Sequence, residues 1–236
     1  MNNEYFIKTF KQVFIQEFQK GRLCTFGEIS EMITEDQNYQ CLQTKTWYQN
    51  IINLSFLDQF IRDDQVTEII THNNTTVQTE KNHQLEFKTI ENISPEDYQL
   101  SLEVLTHINN ISWNYSTSFA SFTLQRGQRN FRVSLLHFSI TPGEKSKAFI
   151  RRINKNTFYL NNYQLPNETE RFLQESIKNK KNIIISGSTG SGKTTLLSSL
   201  IKQVSKVEHL IVIEDTNEIS ISSNNITHIE VGDNKK

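Results

Sequence analysis

The fold of this 236-residue chain is decided by one short stretch, Gly187-Ser188-Thr189-Gly190-Ser191-Gly192-Lys193-Thr194. It matches the pattern G-x-x-x-x-G-K-[ST] in full. The segment before it, Asn182–Ser186, contains three consecutive isoleucines and predicts a buried strand. The segment after it, residues 196–204, has apolar residues at helical spacing and predicts a helix. A strand, a glycine-rich turn and a helix in this order are the context of a phosphate-binding loop.

The chemistry of this loop indicates a nucleoside triphosphate as its ligand. Glycines let the backbone adopt positive φ and approach a ligand closely. Successive N–H groups and the helix N-terminus then surround the phosphate oxygens. Lys193 is placed to reach the β- and γ-phosphates, and the Thr194 hydroxyl is placed to bind Mg²⁺. The sequence therefore predicts a site for ATP and Mg²⁺, formed by Gly187, Ser188, Thr189, Gly190, Ser191, Gly192, Lys193, Thr194 and Thr195.

Two carboxylates follow the next predicted strand, Leu210–Glu214. In open α/β sheets, ligands bind at the carboxyl ends of the strands. Glu214 and Asp215 are therefore expected near the phosphates, where one can hold Mg²⁺ or orient a water. Asp215, with Thr194, is the predicted metal ligand. The alternative is that the acidic pair merely ends a strand in solvent.

Composition narrows the class of protein. The chain has 25 Lys and Arg against 26 Asp and Glu, a formal net charge of -1, which argues against a dedicated nucleic-acid binder. No apolar run is long enough to span a membrane, and the N-terminus has no secretory signal pattern. Cys24 and Cys41 have no metal-binding spacing and are expected to be reduced thiols. These features favour a cytoplasmic protein.

The N-terminal half predicts helices followed by a mixed α+β domain. Apolar residues at helical spacing, Phe6 to Phe18, predict a helix whose face packs on the chain or docks on a partner or membrane. A second helix is predicted from Trp47 to Ile61. The predicted organisation is a helical segment (1–55), an α+β domain (56–153), a linker (154–166) and a partial α/β domain with a parallel sheet (167–236). The α+β domain contains three short strands from Val66 to Phe87, a helix capped by Ser94, a hairpin over 121–137 and a strand over Ala148–Ile153.

Several segments in this order resemble one family, the hexameric secretion ATPases of type II and type IV systems, including the Tad-pilus and conjugation branches. The I-E-D-x-x-E segment of that family is matched by Glu214, Asp215 and Glu218. The N-terminal half has a similar opening, Asp64–Ile69, and segments similar to R-V-S and S-I-R-R at Phe131–Ser134 and Phe149–Arg152. The resemblance covers residues 56–231.

The resemblance implies an N-terminal sensory-type domain, a RecA-like P-loop ATPase domain and a ring of six subunits. It implies that Lys193 and Thr194 bind MgATP, that Glu214 positions the attacking water and that Arg132, Arg151 and Arg152 reach the γ-phosphate. Without the resemblance, the alternative is that these arginines only face solvent on a strand surface. The implied partners are copies of the chain and inner-membrane platform components, with peripheral membrane association and no nucleic acid.

The chain departs from the family after its last predicted strand, Ile226–Val231. It stops at Lys236, before the family's Walker B segment and His box. His209 and His228 lie in predicted strand segments and are expected to be structural. The chain is then either a fragment of a longer protein or a naturally shortened copy. For the sequence as it stands we expect nucleotide binding with poor hydrolysis, and an exposed apolar sheet surface. Two alternatives stay open: a truncated, non-catalytic nucleotide-binding assembly or regulatory module, and another RecA-like P-loop NTPase such as a nucleic-acid motor.

Overall fold

The computed structural model describes residues 3–34, 41–82, 84–91, 93–153, 158–188, 190–205, 207–214, 219 and 225–230. None of the helices in these ranges is both long and apolar enough to cross a membrane. The elements in chain order are α1 (Asn3–Gln19), α2 (Phe26–Ile33), α3 (Leu42–Asn53), α4 (Asp58–Ile61), β1 (Val66–Thr71), β2 (Thr76–Lys81), β3 (Gln84–Thr89), α5 (Pro95–Ile108), β4 (Phe119–Arg126), β5 (Arg129–Leu136), β6 (Lys147–Ile153), α6 (Asn167–Lys178), α7 (Lys193–Ile201), β7 (Leu210–Glu214) and β8 (Ile226–Glu230).

The chain divides into two compact units. The first comprises Met1–Phe119 and Leu135–Ala148, and the second comprises Ala120–Ser134 and Phe149–Lys235. The mixed helix and sheet content confirms the predicted fold class.

The core of the first unit is built on the aromatic face of α1. Phe6, Phe10 and Phe14 are fully buried against residues of α2, α3 and α5. The Phe14 and Trp47 rings meet edge to face, with centroids 5.5 Å apart and an interplanar angle of 89°. Such pairs add to the free energy gained by burying the rings. The apolar face of α1 therefore packs on the rest of the chain, as the first of the two interpretations predicted.

The helix predicted from Trp47 to Ile61 is broken in the structure. Leu54 has φ of 50°, in the left-handed region, and it ends α3. A short 3₁₀ helix, Ser55–Leu57, and α4 follow it. The break lets Leu54, Leu57 and Ile61 all be buried, so tertiary packing overrode a pattern that suited one continuous helix.

The first unit confirms the three short strands predicted from Val66 to Phe87. β1 pairs antiparallel with β2, with Ile69 opposite Thr79, and β2 pairs antiparallel with β3. The buried Thr71 Oγ1 accepts a hydrogen bond from the Ala148 N–H at 3.0 Å and lies 2.6 Å from the Tyr98 hydroxyl. Burial raises the pKa of Tyr98 far above its ordinary value. This hydrogen bonding ties the sheet to α5.

The second unit contains the hairpin, the glycine-rich loop and a parallel strand pair. Its strands β6, β5 and β4 are neighbours in that order, and the hairpin predicted over 121–137 is confirmed as β4 and β5. β7 and β8 pair in parallel, with Val212 opposite His228. The strand predicted at Asn182–Ser186 is not formed. A strand needs a neighbour to accept its backbone hydrogen bonds, and no described strand pairs with these residues.

Candidate nucleotide-binding site

The loop before α7 turns with two glycines in the left-handed region. Gly190 has φ of 74° and Gly192 has φ of 86°. Side chains with a Cβ pay a steric cost in this region, and glycine does not. Gly192 is the N-cap of α7, and its carbonyl accepts the first helical hydrogen bond, from the Leu196 N–H at 2.9 Å. The glycine spacing in the sequence thus sets where the loop stops and the helix begins.

The loop also closes tightly on itself at Gly187. A Cβ at this position would lie 2.7 Å from the Ser191 Oγ and 3.6 Å from the Ser191 Cβ. The backbone of Gly187 therefore approaches the other side of the loop more closely than a larger residue allows without movement of Ser191. The predicted residues Gly187, Ser188, Gly190, Ser191 and Gly192 all lie in the loop in front of the helix.

The N-terminus of α7 is open. No side chain of a described residue caps it. The N–H groups of Thr194 and Thr195 have no hydrogen-bond acceptor among the described residues. Free N–H groups and the positive end of the helix dipole together favour an anion at this position. The geometry therefore fits a phosphate group.

The Lys193 side chain folds back over the loop. Its Nζ donates to the Gly187 carbonyl at 3.0 Å and to the Ser188 carbonyl at 2.6 Å. An ammonium group has three hydrogens to donate, so one is left for a ligand. No carboxylate in the described part of the chain forms an ion pair with Lys193. Its positive charge is therefore held at the loop with no ion-pair partner among the described residues, as suits a phosphate-binding lysine.

Of the two predicted Mg²⁺ ligands, Thr194 lies within the described residues. The Thr194 hydroxyl lies in the first turn of α7, where it fits the role of a Mg²⁺ ligand beside bound phosphates. Asp215, the second predicted ligand, lies outside the described residues. The same holds for Thr189 in the loop and for Glu218.

Glu214 ends β7 with its side chain mostly buried, at 12% exposure. Its Oε1 accepts a hydrogen bond from the Ile219 N–H at 2.9 Å, and its Oε2 lies 3.9 Å from the His228 Nδ1. The carboxylate is therefore oriented by the Ile219 N–H, and His228 lies near its other oxygen. This burial of the Glu214 side chain does not fit the alternative that it merely ends a strand in solvent.

His228, predicted from the sequence only as a structural strand residue, is a neighbour of Glu214. The parallel register pairs Val212 with His228 and Glu214 with Glu230. Residues two apart on a strand share a face, so Glu214 and His228 lie on the same face of the pair. Only the register, which the sequence pattern did not specify, brings them together.

The three predicted arginines lie on neighbouring strands but not on one face. Arg152 lies over the Phe131 ring, 5.9 Å from its centroid, on the buried side of β5 and β6. Strand alternation places Arg132 and Arg151 on the opposite side. Arg151 is exposed and Arg132 is half-buried. The structure thus groups Arg132 with Arg151 and separates both from Arg152.

A known family matches the half of the chain that carries this site. The sequence profile described as "Type II/IV secretion system protein" matches residues 118–236. The chain belongs to this family. Family membership agrees with the resemblance deduced from the segments at residues 131–134, 149–152 and 210–218.

Similarity to individual secretion proteins is local. The type IV secretion system protein VirB11 of Bartonella quintana is 48% identical over 54 residues, which are 23% of this chain and 15% of that protein. The conjugal transfer protein TrbB of Rhizobium radiobacter is 36% identical over 64 residues, 26% of this chain and 20% of that protein. The matched segment is thus a small part of each relative.

Two solved structures share the fold over a longer range. The pilus retraction motor PilT, solved with bound ADP, has a TM-score of 0.55 at 18% identity, over 78% of this chain and 53% of that chain. The Legionella pneumophila ATPase DotB has a TM-score of 0.53 at 19% identity, over 75% of this chain and 51% of that chain. The chain therefore spans about half the length of these structures. At this identity the likeness concerns the fold, and it confirms a RecA-like architecture.

Proposed function

We propose that this secretion-family chain is the nucleotide-binding part of a motor ATPase of a type II or type IV secretion system or a pilus. The observation that carries the proposal is the start of α7. There an uncapped helix N-terminus lies beside the Lys193 ammonium, whose charge no described carboxylate neutralises. Membership in the family supports a role in secretion.

Different residues of the loop bind different parts of MgATP. The N–H groups at the start of α7 and the Lys193 ammonium bind the β- and γ-phosphate oxygens. Thr194, with Asp215, holds Mg²⁺. When bound, this ion neutralises the negative charge that builds up on the phosphate oxygens during transfer.

Glu214 and the arginines are proposed to act on the γ-phosphate. The fixed orientation of the Glu214 carboxylate suits a group that positions an attacking water. Arginine makes bidentate contacts to phosphate oxygens. Because Arg132 and Arg151 share a face, they are the better candidates for contacting the γ-phosphate together. Arg152 is the weaker candidate.

The proposed assembly follows the family. We infer a hexameric ring on the cytoplasmic side of the inner membrane, in contact with platform components of the secretion or pilus system. The domains are proposed to be a helical segment (1–55), an α+β sensory-type domain (56–153), a linker (154–166) and the ATPase domain (167–236).

A second candidate function is nucleotide binding without efficient hydrolysis. It is favoured by the surroundings of Glu214, because the Ile219 N–H and His228 already face its two oxygens. A carboxylate engaged in this way has less capacity to accept a proton from water. Under this proposal the chain regulates or assembles a ring instead of driving it.

The binding proposal is tested with a fluorescent ATP analogue and the full 236-residue chain. Lys193→Ala removes a charged donor, so we expect the affinity for the Mg²⁺ complex to fall by about 10- to 100-fold. Lys202→Ala is the matched control. Lys202 follows the same helix, and its Nζ donates to the Phe158 carbonyl instead of the loop. Equal affinity of wild type and Lys193→Ala would refute the site.

Turnover separates the two candidate functions. If the wild-type chain releases phosphate from MgATP, and Glu214→Gln abolishes this release while still binding the ATP analogue, the motor is supported. Binding without release supports the non-hydrolysing module. Stimulation of turnover by DNA would instead support a nucleic-acid motor and count against both.

A further inference from the structure

The first unit contains an open cavity of about 620 Å³ between α1 and α5, here called the α1–α5 groove. Its walls are α1 around Ile15 and Phe18, α5 from Pro95 to Glu103, and residues of two turns at 73–74 and 138–146. This volume lies in the range of protein ligand sites. The groove lies wholly within the first unit, so the P-loop has no part in it.

The floor of the groove is apolar. Ile15, Phe18 and Leu100 are partly buried and pack against the aromatic core. Each of them therefore has one side on the core and another toward the groove. Partly exposed apolar side chains collected in a concave surface are typical of a binding site.

The rim of the groove carries uncompensated negative charge. Its acidic residues are Glu96, Asp97, Glu103 and Glu144, and its basic residue is Lys145. Lys11 neutralises Asp97 at 2.9 Å. The other three carboxylates form no ion pair with any described residue. The polar groups between them are already bonded, since the Ser146 Oγ donates to the Gln99 Oε1 at 2.6 Å and the Gln99 Nε2 donates to the Glu103 Oε1 at 2.9 Å. The groups at the rim that can still accept hydrogen bonds from a ligand are therefore mainly the carboxylates.

The spacing of these groups matches a helix. Glu96, Leu100 and Glu103 stand at positions i, i+4 and i+7 of α5, which lie on one face. Glu96 and Glu103 are separated by about 10.5 Å along the helix axis, or two turns. The groove is thus a stripe with an acid, an apolar residue and an acid in succession. An elongated stripe of this length suits a helical segment better than a compact small molecule.

We propose that the α1–α5 groove binds a basic amphipathic helix of a partner protein. Apolar side chains of the helix would cover Ile15, Phe18 and Leu100. Lys or Arg side chains about seven residues apart would face Glu96 and Glu103. This is the helix-in-groove mode of recognition, with charge complementarity setting register and orientation.

A labelled model peptide tests the proposal on the full chain. The probe is an alanine-based helix of about 15 residues with leucines on one face and two lysines seven residues apart. We expect saturable binding by fluorescence anisotropy, weakened by added salt. Glu96→Gln with Glu103→Gln should weaken binding by about tenfold, since each rim pair contributes a few-fold. Glu31→Gln, an exposed carboxylate on α2, is the matched control and should bind like wild type.

A charge swap keeps the test independent of folding. The double variant Glu96→Lys, Glu103→Lys should no longer bind the lysine peptide. It should instead bind a peptide of the same sequence with glutamates in place of the lysines. Equal binding of both peptides by wild type, or no effect of the paired Gln substitutions, would overturn the proposal. The proposal would also be overturned if sedimentation showed a dimer of the wild-type chain that the paired substitutions at Glu96 and Glu103 dissociate. The groove would then be covered by a second copy of the chain.

Discussion

At the scale of single residues, the loop before α7 depends on glycines in two different ways. Gly192 supplies a backbone conformation, with φ of 86°. Gly187 supplies space, because a Cβ there would meet the Ser191 hydroxyl. A hydroxyl can rotate away from a neighbour, whereas a backbone dihedral inside a turn cannot relax so cheaply.

We therefore predict that Gly192→Ala is costly and Gly187→Ala is mild. Gly192→Ala forces alanine into the left-handed region at about 1–2 kcal/mol, so affinity for the ATP analogue should fall by about 5- to 30-fold. Gly187→Ala should change it by about threefold or less, because only the Ser191 side chain must move. Gly27→Ala, where the new Cβ meets nothing within 4 Å and φ is not positive, is the control. A larger loss for Gly187→Ala than for Gly192→Ala would contradict the geometry.

At the scale of elements, α5 and α6 begin differently. The Ser94 Oγ accepts the Asp97 N–H at 3.0 Å, and Pro95 occupies the first turn of α5. α6 begins after Pro166, with no side-chain cap. Because the α1–α5 groove is lined by the first turns of α5, this cap also holds the rim of the groove.

We predict that Ser94→Ala destabilises the first unit by about 1 kcal/mol, since the Asp97 N–H in the first turn of α5 loses its acceptor. Ser94→Asn should restore most of the loss, because asparagine also caps helices. Urea unfolding followed by tryptophan fluorescence reports on this unit, since both tryptophans of the chain, Trp47 and Trp113, lie in it. Ser116→Ala, in an exposed turn, should stay within about 0.5 kcal/mol of wild type. A loss of the same size for Ser116→Ala would mean that capping is not the cause.

At the scale of the whole molecule, the strand pair of the second unit leaves an apolar face uncovered. Ile211 and Ile213 on β7 are 62% and 65% exposed, whereas Val212 between them is 6% exposed. This agrees with the exposed apolar sheet surface expected from the sequence. Exposed apolar strand surface promotes association between molecules.

We predict that Ile211→Thr lowers self-association of the full chain while changing its stability by less than about 0.5 kcal/mol. Threonine keeps the strand preference of isoleucine and removes apolar area from the surface. Val212→Thr, the buried control one residue away, should instead destabilise the second unit by about 1–3 kcal/mol, because it buries a hydroxyl. Light scattering and thermal unfolding measure the two effects. Unchanged scattering for Ile211→Thr would show that another surface drives association.

The sequence by itself determined the features that depend on near neighbours along the chain. The glycine spacing of residues 187–194 placed the loop and the start of α7. Phenylalanines at helical intervals determined the buried face of α1. Ser94 followed by proline marked the start of α5, and alternating residues marked the hairpin of β4 and β5. Each of these rests on dihedral preferences and hydrogen bonds within a few residues, which the local sequence contains.

Only the tertiary structure decided what distant segments do to one another. It broke the predicted helix at Leu54, left residues 182–186 without a partner among the described strands, and put Arg152 on the face opposite Arg132 and Arg151. It brought His228 to Glu214 through the register of β7 and β8, and it built the α1–α5 groove from four separate stretches of chain. Pairing and packing energies depend on which surfaces meet, and a linear pattern does not contain that information.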